Sequence, residues 1–374
     1  MIKLRLRVGL IGSGWSANAQ AWALRALRFT VREDGFPEVE LVRAMSSTPS
    51  KIESFARQFG FKEWTTKEGD FFKGDLDVVI IASPNNTHAY YASRAIESGA
   101  DIIVEKPFTV TVEEAREIVS KAKKSRRRGA ICLVSRLLPA SVVTRELISR
   151  GEIGEIREFR AVIAHAKHAY ADTPFEWRMS REVAGGGVFA DLGVHPLDLS
   201  ENLTGLKVKR IWGRTYTLVS ERFDPRVGQK VKVDTEDVGF AVLEFENGGV
   251  GSIEASKVSP GFEEQMRIEI HGDKGGIRFS ITEPQTIYIF KRGTSRVEKV
   301  TRGFEDIYPW LIWPAPKSFE GWVYAYLILH KNFIDNVSGL RESTVPTLED
   351  GLRSQVLLSS FYESSTKGEP IDLE

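Results

Sequence analysis

Apolar and polar residues follow two rhythms along this chain. In the first third, short unbroken apolar runs are stopped by glycine or turn residues. RVGLIG (7–12), VELVRAM (39–45), LDVVIIAS (76–83), DIIVEKP (101–107) and GAICLVS (129–135) read as buried strands. Between them lie segments of helical spacing at 18–29, 50–60, 87–99 and 111–125. Gly60 and Gly99 close the second and third, and Thr111 with Glu114 forms a capping box at the start of the fourth. Single helices between strands impose parallel pairing through right-handed crossovers. Unbroken apolar strands fit a sheet covered on both faces. The expected fold class is α/β, beginning with a doubly wound parallel sheet whose ligands bind at the carboxyl ends of its strands.

From about residue 153 the rhythm becomes alternating. Segments 155–169, 207–220, 237–256, 264–280 and 285–293 alternate, with turns at Asn247-Gly248 and Asp273-Lys274-Gly275. They predict a large, mostly antiparallel open sheet. Helical segments at 139–151, 195–205, 322–337 and 349–368 are available to cover one face, leaving the other for self-association. The expected division is a dinucleotide-binding domain at 1–135 and a C-terminal substrate-binding and oligomerisation domain at 136–374.

Composition narrows the function classes. A chain of 374 residues suits two domains. Lys plus Arg and Asp plus Glu are equal at 51 each, which argues against a dedicated nucleic-acid binder. The basic run KAKKSRRR (121–128) reads as a solvated helix end. Cys132 is the sole cysteine, so there is no intrachain disulfide and no cysteine metal site, and no metal is expected. His165 and His168 lack acid ligands at metal spacing. No apolar run reaches membrane-spanning length, and the N-terminus reads as a strand, so a cytoplasmic protein without a membrane partner is expected.

The first strand runs into Gly12-Ser13-Gly14-Trp15-Ser16-Ala17, a G-x-G-x-x-A loop, and then a helix. Gly12 permits the tight turn, Gly14 leaves room for a pyrophosphate, and Ala17 lets the helix pack closely. Free N–H groups at the helix start suit the phosphates. The second strand ends in AMSSTPSK, without the acid that usually holds the ribose hydroxyls of NAD. Ser46, Ser47 and Thr48 leave room for a 2′-phosphate, and Arg43 or Lys51 adds charge. NADP is favoured over NAD.

Two further stretches carry chemistry. DIIVEKPF (101–108) ends a buried strand in Glu105, Lys106 and Pro107, which places Lys106 on the ligand side of the sheet. GGGVFADLGVHPLDL (185–199) follows three glycines with Asp191, His195 and Asp198 at spacings of four and three, one face of a helix. An Asp one turn from a His fixes its tautomer and raises its basicity. Tyr170, Trp177 and Arg178 lie upstream as candidate substrate contacts.

These motifs resemble the Gfo/Idh/MocA oxidoreductases, the glucose–fructose oxidoreductase and inositol dehydrogenase family. The likeness runs nearly end to end, through VGLIGSGWSA, IASPNNTHAYYASRAIESG, DIIVEKPF, SRLLP, LISRGEIGEI, GGGVFADLGVHPLDL, PTLEDGLRSQVLLSS and KGEPIDL. The resemblance implies a Rossmann domain, a C-terminal α/β domain with an open sheet, a tightly held NAD or NADP, and a sugar or polyol substrate. It makes Lys106 the catalytic lysine and Asp191 and His195 the Asp–His pair, with the bond before Pro107 often cis. Ser83, Pro84, Asn85, His88 and Glu105 join the glycine loop as cofactor contacts, and Lys106 counts there too. AMSSTPSK is similar to NADP-type members. Ala17 for the third glycine and a longer first crossover are departures. Trp15 is shared with a subset that includes non-catalytic regulators. The implied reaction is hydride transfer between nicotinamide and a CH–OH carbon, with an imidazole of ordinary pKa near 6.5 suited to the proton. A dinucleotide-binding regulator and a glycoside-cleaving enzyme with transient oxidation are the other readings. A homodimer or homotetramer through the C-terminal sheet is expected.

Overall fold

Six parallel strands build the first sheet. In the computed structural model of the protein, residues 5–31, 33–262, 265–311, 321 and 323–373 are described. The strands are β1 (Arg5–Ile11), β2 (Glu38–Met45), β3 (Glu63–Thr65), β4 (Val78–Ile81), β5 (Asp101–Val104) and β6 (Gly129–Ile131), in spatial order β3-β2-β1-β4-β5-β6. The order reverses between β1 and β4, which pair in parallel with Val8 opposite Val78, and this reversal is where such sheets bind dinucleotides. Four of the expected strands are central and apolar. The edge strand β3 was not expected, because Glu63-Trp64-Thr65 is too short and too exposed to show a rhythm.

The chain divides into two compact units: Met1–Leu137 with Phe304–Arg353, and Leu138–Gly303 with Ser354–Glu374. A boundary at 135/136 would send 304–353 to the second domain, yet that segment packs on the first. Its helix Tyr324–Ser338 is buried nearly all round. Periodicity therefore announces burial without saying against which sheet. Tyr324 meets Trp22 edge-on at 5.6 Å. Lys331, fully buried, pairs with Asp335 and Glu33 at 2.6 Å each and lies 5.0 Å from the Trp310 ring.

One group in this helix lacks such compensation. His330 is fully buried, and neither ring nitrogen has a partner among the described residues. Burial pushes its pKa down to about 3. The folded protein thus holds this imidazole neutral while the unfolded chain protonates near 6.5. The unpartnered neutral ring costs stability at every pH, and its titration adds a further cost that is nil above pH 6.5, grows as pH falls and saturates near pH 3. His330→Leu should stabilise the protein by about 1–3 kcal/mol at neutral pH and flatten the acid limb of a melting-temperature profile between pH 6.5 and 4. An unchanged profile would contradict this.

In the second unit, nine strands form one sheet: β7 (Ile156–Ala164), β8 (Val208–Tyr216), β11 (Val238–Phe245), β12 (Val250–Ser256), β13 (Gln265–Gly272), β14 (Gly275–Ser280), β15 (Thr286–Lys291), β16 (Val297–Thr301) and β17 (Ile371–Asp372). Their order is β16-β15-β14-β13-β7-β12-β11-β8-β17. Only β7 and β12 pair in parallel, Ala164 opposite Ser256, and every other neighbouring pair of described strands is antiparallel. Alternation along β8 and β11 buries one face and leaves Trp212, Phe240 and Val242 on the other, half exposed or more than 40% so. The hairpin β9 (Glu221–Asp224) and β10 (Gln229–Lys232) was not expected, since its strands are mostly charged. No helix among the described residues is long and apolar enough to cross a membrane.

Candidate functional site

The two glycines of the loop sit in different surroundings. Gly12 has φ +124°, and a Cβ there would lie 2.2 Å from the Ala82 carbonyl oxygen. Its N–H donates to Met45 O at 2.7 Å, tying β1 to β2. At Gly14 a Cβ would meet nothing within 4 Å, so this side of the turn is open. The following helix, Trp15–Thr30, has no side-chain cap and no acid in its first turn. Its first N–H groups suit an anion. Ala17 is fully buried, while Trp15 is exposed. Ser13 Oγ donates to Ser46 Oγ at 3.1 Å, joining the loop to the end of β2. Ser47, Thr48 and Lys51 are exposed there, with Pro49 opening the next helix. Arg43 is not available to this end: its guanidinium donates to Glu63 at 2.8 Å and to the Phe71 and Lys73 carbonyls at 2.8 Å each.

Beyond β4, Ser83 and Thr87 share a hydroxyl hydrogen bond of 2.6 Å, and Pro84 is exposed with Asn85 buried behind it. His88 is buried, its Nδ1 2.9 Å from Pro107 O and its Nε2 3.0 Å from Ser83 O. It ties the loop after β4 to the loop after β5.

Lys106 follows β5 and is half-buried, with a cis bond to Pro107. Glu105 turns inward. It is 3% exposed, and its carboxylate accepts from Gln20 Nε2 at 2.9 Å, Tyr326 O–H at 2.8 Å and the Lys106 N–H at 3.2 Å. The Cys132 thiol also bonds it. Burial raises the Glu105 pKa, opposed by the Lys106 charge and these donors. A carboxylate so engaged is a buried anchor beneath Lys106. Burial, together with the Glu105 charge, pushes the Cys132 thiol far up, so it is unreactive.

The second unit gathers the other candidates. Phe189–Gly193 forms a π-helical turn that leads into the helix Val194–Thr204, so Asp191 lies in the turn and His195 begins the helix. Such turns often mark functional sites. The glycines before it meet protein. A Cβ at Gly187 would lie 2.2 Å from Glu236 O, and one at Gly186 would lie 2.1 Å from the Tyr362 hydroxyl. Glu236, 1% exposed, accepts from the N–H groups of Gly187 at 2.9 Å and Phe189 at 3.0 Å and from Tyr362 O–H at 2.7 Å. Tyr362 in turn accepts from the Ala190 N–H at 3.0 Å. This support was not foreseen, since Glu236 and Tyr362 lie 126 residues apart and neither sits in a motif.

Around Asp191 stand several cations and imidazoles. Arg178 Nε lies 3.5 Å from Asp191 Oδ1, and its guanidinium stacks 4.3 Å from the Trp177 ring. His165 is buried, its pKa lowered by burial against the pull of Asp191. His168 Nε2 donates to Glu176 at 2.9 Å, and Lys167 donates to the same carboxylate at 2.8 Å. Burial would raise Glu176, but these two partners hold it down to about 2. Tyr170 is exposed, its carbonyl held by buried Arg222 at 2.7 Å. Asp198 is buried. No group of three or more potential metal ligands occurs among the described residues.

Comparison with known proteins decides the family. A model described as "Oxidoreductase family, NAD-binding Rossmann fold" matches residues 6–132, and one for the "GFO/IDH/MocA C-terminal domain" matches residues 142–278. The chain belongs to the Gfo/Idh/MocA oxidoreductases. Levoglucosan dehydrogenase from Pseudarthrobacter phenanthrenivorans is 28% identical, over 98% of this chain and 98% of its own. D-glucoside 3-dehydrogenase from Escherichia coli is 26% identical, over 98% and 97%. A solved structure of levoglucosan dehydrogenase with NADH and L-sorbose superposes with a TM-score of 0.92 at 27% identity, covering 99% of each chain. This Gfo/Idh/MocA member is thus an NAD-binding Rossmann oxidoreductase.

Proposed function

We propose that the protein oxidises a secondary hydroxyl of a cyclic sugar or polyol and catalyses the reverse reduction. The observation that carries this is the open Gly12–Gly14 loop on β1 together with Lys106 at the end of β5, two strands along the same sheet. Relatives named for levoglucosan, D-glucosides and inositols support the substrate class. The bound nicotinamide supplies the hydride acceptor or donor. His195 takes the hydroxyl proton on an imidazole nitrogen as the C–H hydride departs, and returns it in reduction. Asp191 holds the imidazole's orientation. Lys106 Nζ donates to the reacting oxygen and stabilises its growing charge. Glu105, Tyr326 and His88 hold the lysine's backbone in place. The test is denaturing release and mass identification of bound nucleotide, followed by a screen of sugars and polyols for change in reduced-nicotinamide absorbance.

For the dinucleotide we favour NADP(H), because β2 ends without a carboxylate and exposes Ser47, Thr48 and Lys51. With Arg43 committed to Glu63, Lys51 is the one side chain of the pair left to offer charge. The preference for NADP over NAD should then be modest, about tenfold in kcat/KM, the worth of one charged hydrogen bond. Ser47→Asp should reverse it. Equal kinetics with both forms in wild type and variant would contradict the reading. We further propose a homodimer or homotetramer through the open sheet face at Trp212, Phe240 and Val242; sedimentation of the full chain tests it.

A further inference from the structure

Lys257 follows β12 directly and is 2% exposed. Its ammonium makes no hydrogen bond to any described residue. Four carboxylates draw on it, Asp237, Glu236, Asp191 and Glu176, yet each is engaged elsewhere. Asp237 accepts from the N–H groups of Leu218 and Val219. Glu236 holds the glycine turn and Tyr362. Glu176 is taken by His168 and Lys167, and Asp191 pairs with Arg178. A buried ammonium without hydrogen bonds is costly, and truncation to an apolar side chain is often stabilising. An acceptor arriving from outside would satisfy it.

Topology says where that acceptor lies. The parallel pair β7–β12 sets Ser256 beside Ala164, so Lys257 and His165 leave the sheet side by side. The His165 N–H donates to Ser256 O at 3.0 Å, and the His168 N–H donates to Lys257 O at 3.0 Å. The π turn bearing Asp191 packs against the same two strands. His165 Nδ1 lies 3.2 Å from the Lys167 N–H, and Nε2 makes no hydrogen bond to a described residue; with the proton on Nε2 the ring presents an N–H donor there.

We propose that Lys257 and His165 bind substrate, their Nζ–H and Nε2–H donating to an oxygen adjacent to the carbon served by Asp191 and His195. The preferred substrates therefore carry a hydroxyl vicinal to the one oxidised. This rests on the dehydrogenase reading. The test uses the full chain with NAD and NADP against levoglucosan, methyl glucoside and scyllo-inositol, each beside its vicinal deoxy counterpart. In wild type the deoxy compound should lose about a hundredfold or more in kcat/KM, as sites built to bond a hydroxyl reject its absence. Lys257→Met should lose about a hundredfold on the parent, chiefly in KM, and little more on the deoxy compound. Nucleotide affinity by fluorescence titration and the melting temperature should not fall. Should Lys257→Met not fold, His165→Phe reads the same deoxy comparison. Unchanged KM and an unchanged deoxy penalty, or a fall in melting temperature alone, overturn the proposal while leaving the dehydrogenase reading intact. A wild type that turns over none of these compounds, nor any other sugar or polyol, overturns both.

Discussion

Turnover should drop by roughly a hundredfold or more when either Lys106 or His195 becomes alanine, with nucleotide binding retained. Lys106 lies after β5 on a segment fixed from three sides. Glu105 is anchored by Gln20 and Tyr326, His88 reaches Pro107 O, and the Lys106 N–H donates to Glu105. Truncating the side chain leaves those contacts in place, so the variant should fold and hold cofactor. The loss then belongs to the reacting oxygen, which forfeits a cationic donor in the transition state, and kcat should fall more than KM rises. Lys106→Arg should not restore the rate, because a planar guanidinium does not reproduce a compact ammonium. For His195→Ala the rate should climb again at high pH, where hydroxide replaces the missing base. Full activity in both alanine variants on a confirmed substrate would remove the assignment. Steady-state kinetics with single-turnover hydride transfer is the measurement.

Glu236→Ala should cost about 3 kcal/mol or more of stability, since hydrogen bonds to a charged acceptor contribute about 1.5–3 each and three donors lose theirs. The Gly187 and Phe189 N–H groups and the Tyr362 hydroxyl all donate to that carboxylate, which is 1% exposed. Burial and then the Glu236 charge hold the Tyr362 pKa far above its ordinary value, so the pair is one carboxylate bonded to one neutral phenol. Gly187→Ala attacks the same junction from the other side, placing a methyl 2.2 Å from Glu236 O. Both variants should lower the denaturant midpoint at unchanged slope. Both should also depress kcat, because Asp191 sits in the turn that these bonds secure. Tyr362→Phe, which keeps the ring and loses one donor, should cost less. A Glu236→Ala protein as stable as wild type would show that the turn does not depend on this carboxylate.

Much of this arrangement was legible in the sequence, and the illegible parts share a cause. The central strands, the glycine loop and the roles of Gly12 and Gly14 follow from local rules: an apolar run, a turn, a helix start. Lys106 could be placed because strand ends in such sheets have a known side. Glu236, Tyr362 and Lys257 could not, because their significance depends on contacts across long stretches of chain. Nothing in Thr235-Glu236-Asp237 differs from an ordinary polar strand entrance until Gly187 is seen against it. Lys257 looks like one more surface lysine, and only the parallel pairing of β7 with β12 shows that it is buried beside His165. The three glycines were read as making room for a ligand or another backbone; Gly186 and Gly187 make room for Tyr362 and Glu236. The burial of Glu105 and His88, and the bonds by which they brace the Lys106 segment, were likewise not legible from the motifs beside them. The grouping of Phe304–Arg353 with the first compact unit was not legible, because a helix buried all round gives no direction.

The most direct test of the oxidoreductase account is a coupled pair of readings on the wild-type chain: mass identification of the nucleotide released on denaturation, and reduced-nicotinamide absorbance during incubation with levoglucosan, glucosides and inositols. The account predicts NADP(H) or NAD(H) in the released fraction, and net reduction of added cofactor with at least one cyclic polyol, slowed by roughly a hundredfold or more in Lys106→Ala. Bound nucleotide with no net change of its redox state, in either direction and with every compound, would contradict it.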